Sequence, residues 1–177
     1  MKIKKFNSFI VEKKATKENK INEYGCAMLY FNVKNWDDII SFIDEKDIHE
    51  EEGLEDEPHL TLLYGFHKDE VGFDDIKKHF KDTEEIEIEI ESVSIFENEK
   101  YDVVKFDVKK TEELMDYNKK LSKLPHTTNF PDYHPHITIG YVKPGTGKKY
   151  IKDEYVAKLK SKLLVYSADD KKKMKLK

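Results

Sequence analysis

Two stretches of this chain pair a histidine with a threonine two residues on: Pro58-His59-Leu60-Thr61-Leu62-Leu63-Tyr64-Gly65 and Pro135-His136-Ile137-Thr138-Ile139-Gly140-Tyr141. Apolar residues alternate with the pair, which predicts a short buried strand in each case. On a strand, residues i and i+2 share a face. His59 and Thr61 therefore point one way while Leu60 and Leu62 point into a core. His136 and Thr138 do the same against Ile137 and Ile139. Two such pairs opening on one cleft suit phosphodiester chemistry. One imidazole takes a proton from an attacking oxygen while the other gives a proton to the leaving oxygen. Histidine fits both tasks because its pKa lies near neutrality. The threonine hydroxyls donate hydrogen bonds to non-bridging phosphate oxygens. This scheme calls for no metal and no cofactor. A single His-x-Thr is more simply a histidine satisfied by a backbone carbonyl; two in matching places argue otherwise.

The matching is set by the elements around them. His136 lies 77 residues after His59. The same offset carries Met28 to Lys105, Trp36 to Glu113 and Glu85 to Lys162. Residues 26–33 read as a strand, and Asn35 caps a helix through Trp36, Ile39, Ile40 and Ile43. Residues 74–80 read as a second helix. Residues 85–95 alternate Ile86, Ile88 and Ile90 with Glu87, Glu89 and Glu91, a strand with one wet face. Then come a strand at 101–108, a helix opened by Thr111, the second His-x-Thr strand, a helix at 152–159 and a strand at 162–167. Each half is thus strand, helix, His-x-Thr strand, helix, strand. The expectation is an α+β fold over residues 24–168. It has two pseudo-symmetric lobes, each an antiparallel-type sheet with two helices, around a central cleft. If Ala27, Leu29 and Phe31 face the core, Cys26, Met28 and Tyr30 face the cleft. Likewise Lys105, between Val104 and Phe106, faces the cleft and can hold a phosphate.

Composition narrows the partners. The chain has 177 residues, 38% charged and 38% hydrophobic, with a formal net charge of −4. It has no Arg, so phosphate contacts fall to Lys and His as point charges. Residues 1–23 carry +4 and residues 169–177 carry +3, and subtracting both from −4 leaves −11 for the body. An acidic body argues against tracking along long DNA or RNA. It leaves room for a small nucleotide in a local pocket. Cys26 is the sole cysteine, which excludes an internal disulfide and a cysteine zinc site and points to a reducing cytoplasm. No apolar run is long enough for a membrane span. His126 and His134 lie near His136, but no recognised zinc spacing accompanies them. Gly145-Thr146-Gly147-Lys148-Lys149 lacks the full phosphate-loop spacing and reads as a turn. Residues 169–177 read as a basic, disordered tail. Oligomeric state is not readable.

The paired His-x-Thr strands, about one lobe apart, resemble the 2H phosphoesterase superfamily, whose fold is the bilobal one expected here. The stretches 25–30 and 53–65 are similar to the phage anti-CBASS cyclic-oligonucleotide phosphodiesterases. That resemblance implies metal-independent hydrolysis of 3′–5′ bonds in cyclic di- and trinucleotide alarm signals, in an infected bacterial cytoplasm. It implies His59, Thr61, His136 and Thr138 as catalytic residues, and Tyr24 and Tyr166 as aromatics that embrace a base. Two other readings stay open. One is a 2H reaction on 2′,3′-cyclic phosphate RNA ends or on 2′–5′ oligoadenylates. The other is a sponge that binds a cyclic nucleotide without cutting it. Residues 1–23 form an arm and linker. Phe6 and Phe9-Ile10-Val11-Glu12 resemble the capsid-targeting peptides of large tailed phages, which implies cleavage after Glu12 and packaging in the phage head. A plain amphipathic arm is the other reading.

Overall fold

The computed structural model describes residues 24–177. The arm and its capsid-targeting reading lie outside these described residues. The elements run β1 (Tyr24–Tyr30), α1 (Trp36–Ile40), β2 (His59–His67), α2 (Phe73–Lys77), β3 (Ile86–Glu97), β4 (Asp102–Val108), α3 (Glu112–Leu121), β5 (His136–Val142), β6 (Ala157–Ser161), β7 (Leu163–Ser167) and β8 (Lys171–Lys175). All eight strands join one sheet in the order β6-β3-β4-β5-β2-β1-β7-β8. Every pairing is antiparallel.

Strand alternation sorts the sheet into two faces. Ala27, Leu29, Leu60, Leu62, Val104, Phe106, Ile137, Ile139, Leu164 and Tyr166 are buried in one large cluster. Trp36 and Ile40 of α1, Ile76 of α2, and Leu114, Tyr117 and Leu121 of α3 belong to the same cluster. The helices therefore cover this face, and burial of their apolar stripes holds them there. Thr111 caps α3, its Oγ1 accepting from Leu114 N at 3.2 Å. The opposite face carries Cys26, Met28, Tyr30 and Val165 as a separate small cluster. In β3 the core side passes from Ile86, Ile88 and Ile90 to Val93 and Ile95. A register shift between Ile90 and Ser92 explains the change, because one extra residue flips the phase of a strand.

Three expectations are corrected. The lobes are not separate sheets with two helices each: β2 and β5 join them through the pair Leu60↔Ile137. Nor do the sequence halves coincide with the two sides of that seam. β3, from the first half, pairs with β4, while β7, from the second, pairs with β1. Residues 152–159 are not a helix. Residues 157–161 form β6 against β3, where Ala157 and Leu159 pack on the core and Lys158 and Lys160 meet Glu87 and Glu89 of β3. Period two wins there because β3 offers an apolar face of matching spacing. Finally, the expected disordered tail contains β8. Met174 packs on the core and Leu176 is buried, with the exposed Lys175 between them. An edge strand rich in lysine also resists pairing with other chains. The Gly145–Lys149 segment, expected as a turn, turns at Pro144-Gly145 and then enters a short 3-10 helix, Gly147–Tyr150, whose Gly147 N donates to the buried Asp102 carboxylate at 2.9 Å.

Candidate active site

Each histidine of the pair is set by the proline before it. Proline fixes its own φ and keeps the preceding residue extended. The carbonyl of that preceding residue then meets the imidazole. His59 Nδ1 lies 2.9 Å from Glu57 O, and His136 Nδ1 lies 2.9 Å from His134 O. A carbonyl only accepts, so both rings carry their proton on Nδ1. The neutral ring then has its lone pair on Nε2, the nitrogen that can work as a base. The proline carbonyls brace the strands from the other side. Pro58 O accepts from Phe31 N at 2.9 Å, and Pro135 O accepts from Val108 N at 3.0 Å.

Register places the quartet on one surface. From Leu60↔Ile137, one step either way sets His59 across from Thr138 and Thr61 across from His136. On the outer sides Tyr30 pairs with His59 and Met28 with Thr61, while Lys105 pairs with Thr138 and Asp107 with His136. Two rows of side chains therefore cross four strands, with the histidines diagonally placed. The four residues expected to be catalytic are brought together. The Thr138 hydroxyl has no hydrogen-bond partner among the described residues, so it can serve a phosphate oxygen.

The surroundings of the two rings differ. Tyr30 stacks on His59 with centroids 5.3 Å apart and 20° between planes. Phe96 meets His136 edge-on at 5.4 Å and 87°. Lys105 is buried on the site face as expected. Its Nζ donates to Ser94 Oγ at 2.6 Å and to Asp107, and sits 4.5 Å from the Phe96 ring centre. Ser92 Oγ donates to the other Asp107 oxygen at 2.8 Å. Two of the three lysine protons are thus committed, leaving one for a ligand. Sequence reading missed Ser92, Ser94 and Phe96, since the phase flip in β3 hides which of its residues face the site, and it passed over Asp107 of β4, which shares the parity of Lys105. It also missed Tyr133, whose hydroxyl donates to Thr61 O at 2.9 Å from a loop without periodic pattern.

The two tyrosines expected to embrace a base part company. Tyr24 reaches the edge of the site face, its ring 6.2 Å from Tyr64 in an edge-on contact. Tyr166 does not. It is the Cα partner of Ala27, a core-facing residue, and its hydroxyl donates to Val71 O at 2.8 Å. On β7 it is Leu163 and Val165 that share the site face, and Tyr166 falls on the other parity.

Burial sets the electrostatics. Desolvation lowers the pKa of His59 and pushes that of His136 down to about 4. The backbone hydrogen bonds oppose this by favouring the charged rings, and Lys105 adds to the lowering at His136. Both rings are neutral at pH 7 in the free protein. The productive form needs one protonated ring as acid and one neutral ring as base. With both pKa values below 6.5, that form peaks below pH 6.5. The kcat/KM profile is expected to have its optimum there. The kcat profile is expected to lie to its alkaline side, because a bound phosphate anion raises both pKa values. Rates measured across pH 4–9 check this. In Lys105→Met, removal of the neighbouring cation should move the His136 titration to higher pH while lowering activity, which NMR titration of the imidazole reads directly.

An antiparallel sheet with two carbonyl-pinned histidines and two threonines on its open face defines a two-histidine phosphoesterase. A family model described as the 2′-5′ RNA ligase superfamily matches residues 45–167, and the chain belongs to that family. Members of this 2H phosphoesterase superfamily act on phosphodiester bonds. Among solved structures, Usb1 of Kluyveromyces marxianus is similar with a TM-score of 0.62 and 7% identity, over 88% of this chain and 99% of that one. The same protein with uridine monophosphate is similar with a TM-score of 0.60 and 8% identity, over the same shares. At such identity these likenesses speak to the fold. No curated protein matches the chain. No helix among the described residues is long and apolar enough to cross a membrane.

Proposed function

We propose that this protein is a metal-independent phosphodiesterase that opens 3′–5′ bonds in small cyclic oligonucleotides, and so disarms CBASS defence signalling. The observation that supports it most is the pair of Nδ1-pinned histidines set diagonally across a threonine-lined seam. In the reaction one histidine accepts the proton of the attacking oxygen as the new P–O bond forms. The other gives its proton to the 5′ oxygen as the old P–O bond breaks. Water as nucleophile yields a linear phosphate; the adjacent 2′-hydroxyl yields a 2′,3′-cyclic end. Binding alone needs no such acid and base, which weighs against a sponge. The −11 body favours a small anion over a long one.

The family description favours a second reading, a reaction at 2′–5′ linkages or 2′,3′-cyclic RNA ends. One assay separates the three. The protein is incubated with EDTA and a panel of cyclic di- and trinucleotides, 2′–5′ oligomers and 2′,3′-cyclic nucleotides. Linear products from the cyclic oligonucleotides alone are the expected result. Turnover confined to the other two classes overturns the reading, and tight binding without products returns it to a sponge.

A further inference from the structure

The three alternate lysines of β8 share the face of the catalytic histidines. Lys175 pairs with Leu163, Lys173 with Val165 and Lys171 with Ser167. Those β7 residues pair in turn with Tyr30, Met28 and Cys26, and Tyr30 and Met28 pair with His59 and Thr61. Partners in an antiparallel pair lie on the same side. Two rows therefore run unbroken from lysine to catalytic residue, Lys175-Leu163-Tyr30-His59 and Lys173-Val165-Met28-Thr61. Three strand spacings, about 14 Å, separate β8 from β2. Lys171 closes part of that gap, with its Nζ 3.4 Å from Tyr30 Oη and 3.5 Å from Glu57 Oε2.

The other edge of the sheet supplies the contrast. On β6, Lys158 is 2.8 Å from Glu87, and Lys160 is 2.8 Å from Glu85. Those cations are neutralised. Lys173 and Lys175 are exposed and have no acidic partner among the described residues. On an acidic body, this leaves a short positive strip at one rim of the site, paved toward His59 by Leu163, Val165 and the Tyr30 ring.

We propose that Lys173 and Lys175, on the same face of β8 as Lys171, form a second phosphate subsite. It would hold the phosphate one nucleoside away from the scissile one, with the intervening nucleoside over Leu163 and Tyr30. The protein then selects substrates with at least two phosphodiester groups. This rests on the reading of the site as a phosphodiesterase of small oligonucleotides and names the feature that such a substrate must carry.

The test compares the wild type with a Lys173→Gln/Lys175→Gln variant, both positions being exposed and remote from the histidines. Labelled, hydrolysis-resistant phosphorothioate oligomers serve as probes, a trinucleotide with two internucleotide phosphates and a dinucleotide with one. Fluorescence anisotropy gives Kd across a salt series. The trinucleotide Kd is expected to rise about tenfold or more, as loss of a charge-assisted contact does. The dinucleotide Kd is expected to stay within about twofold. The slope of log affinity against log salt should fall by about 0.7 for the trinucleotide only. Equal loss for both probes, no loss for either, or a wild type that binds both equally overturns the subsite. Should the wild type cleave no cyclic oligonucleotide, the functional reading fails, yet the one-phosphate against two-phosphate contrast still decides the subsite.

Discussion

His59→Ala and His136→Ala are each expected to lower kcat on the cleaved phosphodiester by roughly 10²–10⁴-fold, the usual worth of a positioned acid or base. The two effects should not multiply. Acid and base act within one displacement, so the double variant should fall little further than the worse single. His59→Asn and His136→Asn sharpen the test. An asparagine amide can still donate to Glu57 O or His134 O, preserving the local hydrogen bond without any proton to move near neutral pH. Activity lost in the Asn variants with an unchanged thermal melt assigns the loss to chemistry. Turnover persisting in both alanine variants would sink the two-histidine mechanism.

Gly65→Ala carries the largest expected cost to stability. Gly65 adopts φ +107°, a conformation that L residues rarely take, and an added Cβ would stand 2.0 Å from the carbonyl oxygen of Thr127. The obstacle is main chain, and that main chain is tied to Gly65 itself, since Thr127 N donates to Gly65 O at 2.9 Å. Either β2 or the loop must move. The expected loss is about 3 kcal/mol or more, from left-handed backbone strain plus the forced displacement. For a domain of this size that lowers Tm by roughly 6–12 °C. Activity should fall as well, because the same loop carries Tyr133 to Thr61 O. A melt within 2 °C of wild type, as an order-of-magnitude margin for such a domain, would refute this account.

Much of the site was legible because strand parity is strict. Once His59 and Thr61 lie on one face, Leu60 must go to the other, and the 77-residue offset located the second pair without further information. Lys105 followed from the same parity. Tyr166 shows the limit: it was assigned by likeness rather than by parity, and the hydroxyl it turns toward Val71 lies behind the sheet. Residues 152–159 and 169–177 failed for a related reason. Within them, residues 157–160 and 173–177 alternate lysine with apolar side chains, and in each the charge hid a period of two. Phe96 could not be read, since a register shift in β3 has no marker such as a glycine or proline, whereas Asp107 follows from the parity that placed Lys105 and was passed over. Strand order also lay beyond reach. Nothing local in β3 or β7 says which neighbour each will choose.

That exchange bears on how the molecule comes into being. Strands β3 to β6 occupy one contiguous run, residues 86–161, whereas β1 waits for its partner β7 at 163–167. During synthesis the half of the sheet built from β3 to β6 can assemble as soon as it emerges, but the half bearing His59 cannot acquire β7 until nearly the whole chain is made. Closing so long a loop is slow. Nascent chains halted before residue 163 would therefore hold His136 on a formed surface and His59 on an incomplete one. The face that carries both histidines would then be completed only once the ribosome has passed β7.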